Sequence, residues 1–393
     1  MKKSRILLIL ECGVVLMNLI FTIVAIAEEP PQKALYPGEK IMQGGGYPAL
    51  TKFIKGDTKK ALIVFIPGTG HTARISYGGH AGSQDKDFLA HWLVSQGYNF
   101  LGISYPIITK NPIYEEAYPN FNIRIWGKQA AEIAKATIDE NNLSNRIILI
   151  AWSNGGRITQ SFNEAATNLG LDVDFCASFS ATPPNVAVVI IPPETPPFYY
   201  SLLKASNGYM ALSRRFDDWY DQVKNNSSLN RGREIIPKEV FCDEYVGNMP
   251  VNLTGLGIKY QDGAFVASGW TFMEDSKSYD LQNFPLVATV VTDNVNDSRH
   301  ALTDQGVWGP YVIGNIFSYI EKSKVDLKKM SPEKWKAVVN LVRTAPQQLS
   351  VGTTGNHFFF VGEAGARNAA QCIIILEEKV RAFKTELGGL LGI

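Results

Sequence analysis

The 393-residue chain is poor in several things, and each absence removes a class of function. It lacks charge imbalance: 38 Lys and Arg stand against 37 Asp and Glu, a formal net charge of +1, so nothing suits a nucleic acid or another polyanionic partner. Cysteine is scarce, four in all, and no CxxC, HExxH or close His/Asp/Glu spacing occurs, so neither a dedicated metal site nor a cofactor is expected. Internal repeats and low-complexity tracts are missing too. With 45% apolar and 19% charged residues, what remains is an ordinary globular composition, long enough for one main domain with an insertion.

The first 27 residues differ from the rest. Met1-Lys2-Lys3-Ser4-Arg5 is basic, Ile6 to Ala27 is nearly all apolar, and Ala25-Ile26-Ala27 has the small-x-small pattern of a cleavage site. This reads as a secretory signal peptide cleaved after Ala27, hence a secreted or periplasmic protein with no stable membrane span; an uncleaved anchor is the competing reading, because the apolar run is long. Loss of Lys2, Lys3, Arg5 and Glu11 turns the net charge from +1 to −1. Cys176, Cys242 and Cys372 remain, an odd number that allows one bridge and one spare thiol at most.

From residue 28 the chain alternates. Leu50 to Lys55, a Gly56-Asp57 turn and Ala61 to Pro67 read as a hairpin leading into a sheet. Leu62 to Ile66 is continuously apolar and stops at Pro67-Gly68-Thr69-Gly70-His71-Thr72, a loop able to aim N–H groups at a ligand. Phe88 to Gln96 reads as helix, Tyr98 to Tyr105 as strand, Trp126 to Asn141 as an amphipathic helix, Arg146 to Ala151 as strand, Arg157 to Asn168 as helix and Val173 to Ser180 as strand. Repeated units of this length predict an α/β fold, with a mostly parallel central sheet and helices on both faces.

The rhythm breaks at Ala181-Thr182-Pro183-Pro184. We therefore expect core in 28–185, a proline- and aromatic-rich cap or lid in 186–284, and core again in 285–393. Pro285 to Val291 is a strand ending at Thr292-Asp293-Asn294-Val295-Asn296-Asp297; Val307 to Ile320 and Ala364 to Leu387 are helical.

The chemistry gathers at Trp152-Ser153-Asn154-Gly155-Gly156, which follows a buried strand and precedes a helix. A serine there is held in a strained turn with its hydroxyl above the sheet. To act as a nucleophile it needs a base, a carboxylate to orient that base, and donors for an oxyanion. His357, in the late loop Gly355-Asn356-His357, is the best placed of five histidines, with His300 its rival. His71 reads as a loop hydrogen-bonder, His80 as solvated and His91 as structural. Asp293 and Asp297 both follow a late strand, and either suits the Ser-acid-His order.

These stretches resemble the α/β-hydrolase superfamily, and Pro67-Gly68-Thr69-Gly70 with Trp152-Ser153-Asn154 is similar to the lipase B branch. The resemblance implies a serine esterase or lipase type with Ser153 attacking, Thr69 donating to the oxyanion through its N–H and hydroxyl, and Asn154 through its N–H. Thr292-Asp293 matches that branch's threonine-aspartate and favours Asp293 over Asp297 as the acid. Ala151 departs from the glycine many members carry, but is small enough for close packing. The substrate implied is a small-molecule carboxylic ester, with an apolar acyl or aryl part suggested by the insertion. A lipase, amidase, lactonase or acyltransferase shares this chemistry, and a non-catalytic binding protein of the same fold is the alternative of another class.

Overall fold

Two apolar stretches, LIVFI at Leu62–Ile66 and RIILIAW at Arg146–Trp152, set the centre of the fold, because side chains that are apolar on both faces need cover on both. In the computed structural model, which describes residues 34–184, 207–226, 230, 232–255, 258–267 and 269–393, every residue of the first and all but Arg146 of the second are buried. The expected leader and residues 186–206 of the expected insertion lie outside the described residues.

One sheet has eight strands: β1 (Glu39–Gly44), β2 (Tyr47–Ile54), β3 (Leu62–Ile66), β4 (Asn99–Ser104), β5 (Arg146–Trp152), β6 (Asp172–Phe179), β7 (Val287–Thr292) and β8 (Ser350–Thr353). Their spatial order is β1-β2-β4-β3-β5-β6-β7-β8, parallel from β4 onward. Around it pack α1 (Leu89–Ser95), α2 (Ile123–Asn141), α3 (Thr159–Asn168), α4 (Phe216–Asn225), α5 (Ser298–Lys322), α6 (Pro332–Gln348) and α7 (Glu363–Leu391). Local chemistry sets several ends. The Asn122 side chain accepts from Ile125 N to cap α2, and Asn142 closes that helix in the left-handed region at φ 52°.

The expected hairpin between Leu50–Lys55 and Ala61–Pro67 is not formed. Gly45 and Gly46, at φ 58° and 82°, instead turn β1 into β2, and β2 pairs antiparallel with β4, Leu50 opposite Ser104. The physical reason is burial: wholly apolar β3 takes a central place between β4 and β5, leaving half-buried β2 further out. Helix α5 also starts nine residues before the expected Val307, at Ser298.

Between β6 and β7, Tyr209–Met210 and Gly247–Pro250 join Ile108–Thr109 in a three-stranded sheet, and Ile258–Gln261 pairs with Ala264–Ala267 across an Asp262-Gly263 turn. This material stands against the loop after β3: Gly247 N donates to Gly70 O at 2.9 Å, and His71 bridges to Val246. Among the described residues no helix is long and apolar enough to cross a membrane. Cys176, Cys242 and Cys372 are all free thiols, so no bridge forms among them.

Candidate active site

Strand β5 delivers Ser153 at its carboxyl end, and the chain turns there at once. Ser153 has φ 54°, a left-handed conformation that costs a non-glycine residue of order 1 kcal/mol and persists only where the surroundings enforce it. The enforcement is close packing. A Cβ on Gly155 would stand 2.8 Å from Ile66 O, and one on Gly156 2.5 Å from Thr182 O, so only glycine lets the elbow sit against its neighbours. Thr182 N donates to Ser153 O at 2.8 Å and ties the elbow to the loop after β6.

The loop after β3 comes up beside the serine. The Tyr105 hydroxyl donates to Gly68 O at 3.0 Å and accepts from Gly70 N at 2.8 Å, pinning both flanks of Thr69. The Thr69 N–H itself has no acceptor among the described residues. Gly68 faces the serine so closely that a Cβ there would meet Ser153 Cβ at 2.6 Å. Gly68→Ala is therefore expected to push loop and elbow apart and lower hydrolytic turnover by about a hundredfold, with smaller loss of Tm, as steady-state rates and calorimetry would show.

Asn154, buried, is committed through its side chain: Nδ2 donates to Leu253 O at 2.8 Å and Oδ1 accepts from Arg157 Nε at 2.7 Å. Its backbone N–H is thereby held on the first turn after Ser153.

His357 lies on the loop following β8. Trp152 Nε1 donates to His357 O at 3.0 Å, and Asn356 Nδ2 to Gln222 O at 2.8 Å, so the loop is fixed from β5 and from α4. The imidazole pairs with Asp297, Nδ1 to Oδ2 3.1 Å, and not with Asp293. Asp293 instead accepts from Gly355 N at 3.3 Å and is exposed. This corrects the expectation drawn from Thr292-Asp293. The Asn294 side chain accepts from Asn296 N and winds Val295–Asp297 into a short 3-10 turn, which carries Asp297 back over the strand end. Burial works to raise the Asp297 carboxyl, but the charge and hydrogen bond of His357 outweigh it and hold it below the usual value.

His300, the rival, is spoken for. Its Nε2 faces Arg299 Nη2 at 2.7 Å and its Nδ1 faces Asp304 Oδ1 at 2.8 Å. A guanidinium only donates, so Nε2 accepts and Nδ1 carries the proton to Asp304. Burial lowers the His300 pKa, in keeping with a neutral ring. One ligand atom each from Asp297, His300 and His357 lies within 4.8 Å of the others, and both ring nitrogens of His300 already have partners.

His71 donates from Nδ1 to Thr69 O at 2.7 Å and packs among Trp152, Trp219, Phe241 and Phe358. Burial pushes its pKa down to about 3. Protons then bind the unfolded chain first as pH drops through 6.5, so His71 supports the fold fully above that value and progressively less toward pH 3. Unfolding free energy should fall between pH 7 and 5 by about 2 kcal/mol less in His71→Phe than in the parent, measured by denaturant titration. His80, expected to be solvated, is buried with Nδ1 2.6 Å from the Tyr245 hydroxyl.

Thr69, Ser153, Asn154, Asp297 and His357 thus line one cavity of about 360 Å³. Its far wall, Met210, Leu212, Arg215, Trp219 and Met249, comes from the material between β6 and β7. Asp297 stands in the sequence as the second candidate acid, whereas Arg215 and Arg299 are residues that the sequence does not single out. Asn294, a residue type that favours such turns, is a signal that could have favoured Asp297, while nothing in the pattern marks the arginines.

No protein-family model matches the sequence, and no curated protein matches it either. Among solved structures the chain is similar to a thermophilic esterase from Thermogutta terrifontis, at 10% identity over 87% of this chain and 99% of that one, TM-score 0.44. It is also similar to an arylesterase, at 12% identity over 89% and 87%, TM-score 0.42, and to a thioesterase domain from the curacin biosynthetic pathway, at 10% over 86% and 98%, TM-score 0.38. Likenesses this distant leave the assignment of the fold to the strand order itself. That order, eight strands parallel from β4 onward with helices packed around them, gives this chain the α/β-hydrolase fold.

Proposed function

We propose that this chain is a serine hydrolase that cleaves a carboxylic ester through an acyl-enzyme on Ser153. The observation that carries the reading is a strained serine at φ 54° sharing one cavity with a histidine whose far nitrogen is held by a buried carboxylate. With Nδ1 bonded to Asp297, Nε2 of His357 is the nitrogen free to serve the serine.

Ser153 Oγ attacks the acyl carbon as His357 Nε2 takes the hydroxyl proton. The carbonyl oxygen becomes an oxyanion, met by the N–H groups of Thr69 and Asn154 and by the Thr69 hydroxyl. Collapse expels the alcohol, which receives its proton from His357. Water then attacks the acyl-enzyme, giving up a proton to His357, and the acid leaves as Ser153 regains its own. Asp297 stays ionised throughout and supports the imidazolium. Asp293 acts on the loop, through Gly355.

The substrate is a small-molecule ester whose apolar acyl or aryl part lies against Met210, Leu212, Trp219 and Met249. We retain the secretory reading of residues 1–27, and 186–284 as a cap over the site. The test is acid quenching within milliseconds of mixing with 4-nitrophenyl butyrate, then peptide mass spectrometry. A butyryl group on the peptide containing Ser153 is expected; butyrate released with no acylated peptide at any quench time would remove the acyl-enzyme.

A further inference from the structure

The cavity at Ser153 is not walled like a slot for hydrocarbon alone. Set beside its apolar side chains are three guanidinium groups, Arg157, Arg215 and Arg299, against one lining acid among the described residues, Asp297, which His357 already holds. Arg157 is buried, whereas Arg299 is exposed and the Arg215 side chain is 38% exposed, so these two keep N–H donors open to a ligand that enters the cavity from solvent.

Arg157 has its work: Nε donates to Asn154 Oδ1, and its plane lies 4.9 Å over the Phe272 ring. Arg299 and Arg215 differ from it. Arg299, in the first turn of α5, hydrogen-bonds through Nη2 to Thr182 Oγ1 and His300 Nε2, both at 2.7 Å, and among the described residues no carboxylate pairs with it. Because Thr182 N donates to Ser153 O, this guanidinium stands two hydrogen-bonded steps from the serine. Arg215 lies over Trp219, 5.5 Å from the ring centre; its acidic neighbour, Asp218, is 4.0 Å from Nε and 74% exposed. Trp219 packs in turn on His71, which holds Thr69 O. The two cations thus reach the cavity from different elements. Ser298, the first residue of the 25-residue helix α5, lines it as well and adds the positive end of that helix.

We propose that the ester taken at Ser153 carries an oxyanion, in its simplest form a carboxylate, on its acyl or its alcohol part, and that Arg299 and Arg215 bind it while the apolar wall takes the hydrocarbon between. A guanidinium meets a carboxylate with two parallel N–H bonds, which fixes orientation as well as supplying affinity. The inference rests on the hydrolase reading for where the ester lies, but anion binding is measurable without turnover.

The experiment is calorimetric titration of the full chain carrying Ser153→Ala. 4-Nitrophenyl hydrogen glutarate is compared with neutral 4-nitrophenyl pentanoate, which places the charge on the acyl part, and 4-acetoxybenzoate with phenyl acetate, which places it on the alcohol part. In one pair the anion should bind at least about tenfold more tightly than its neutral counterpart. The advantage should shrink in about 0.5 M NaCl and collapse when Arg299→Gln or Arg215→Gln is added. Equal affinity within both pairs, or an advantage that survives both arginine changes, overturns the proposal. If the advantage is present but the parent protein turns over none of these esters, the anion site stands and the hydrolase reading falls; turnover without the advantage does the reverse.

Discussion

Ser153→Ala and His357→Ala should each lower kcat for 4-nitrophenyl butyrate by about 10⁴–10⁶, while His300→Ala lowers it by no more than about tenfold. The first two are equal in effect because nucleophile and base act as a unit: a serine with no base keeps its proton, and a base with no serine has nothing to activate. The contrast with His300 follows from hydrogen bonding. Both of its nitrogens are engaged, by Asp304 and Arg299, and its ring stands 5.2 Å from that of His357 without a bond to the serine. It is buried at 5% exposure, so its loss should appear in Tm more than in kcat. Steady-state rates beside calorimetry separate the two readouts, and a His300→Ala enzyme as dead as His357→Ala, yet fully folded, would reverse the assignment of the base.

Asp297→Asn should cost about 10³–10⁴ in kcat, and Asp293→Asn less than about tenfold. An amide at 297 can present its NH₂ to Nδ1, which turns the imidazole to the tautomer whose Nε2 carries a proton and cannot take one from Ser153. Asp293 makes one bond, to the Gly355 amide at 3.3 Å, and an amide oxygen replaces that acceptor. The pH dependence carries the same sign. The Asp297 carboxyl is held below its usual value, so its support of the fold is present through neutrality and is lost only as pH falls below the ordinary carboxylate range; Asp297→Asn should flatten that acid limb, which urea titrations from pH 6 to 3 would show. If Asp293→Asn were instead the more damaging change, the pairing of His357 with Asp297 would not be the working one.

The sequence carried the parts of this site that follow from regular structure. Leu62–Ile66 and Arg146–Trp152 are apolar at every position that is buried on two faces, so their place in the centre and the turn at Ser153 were legible. His357 was legible from a late loop with a glycine two residues before it. The partner of His357 is harder to read: the dipeptide Thr292-Asp293 favours Asp293, whereas in the fold Asn294 winds the next three residues and sets Asp297 against the imidazole. The small sheet over the site escaped notice for a different reason. Its strands, Ile108–Thr109, Tyr209–Met210 and Gly247–Pro250, are too short for any alternation to register, and they pair at a distance along the chain, Ile108 with Asn248 and Tyr209 with Pro250. Nothing in the sequence marks Arg215 and Arg299, and only the folded walls bring them to the cavity that Ser153 lines.

The claim on which the rest depends is that Ser153 is a nucleophile activated by His357. A fluorophosphonate probe reads this directly, since it bonds covalently only to a serine whose hydroxyl is deprotonated as it attacks. One adduct is expected, on the peptide containing Ser153, abolished by Ser153→Ala and strongly slowed by His357→Ala. An unlabelled folded protein, or an adduct that persists after Ser153→Ala, would contradict it.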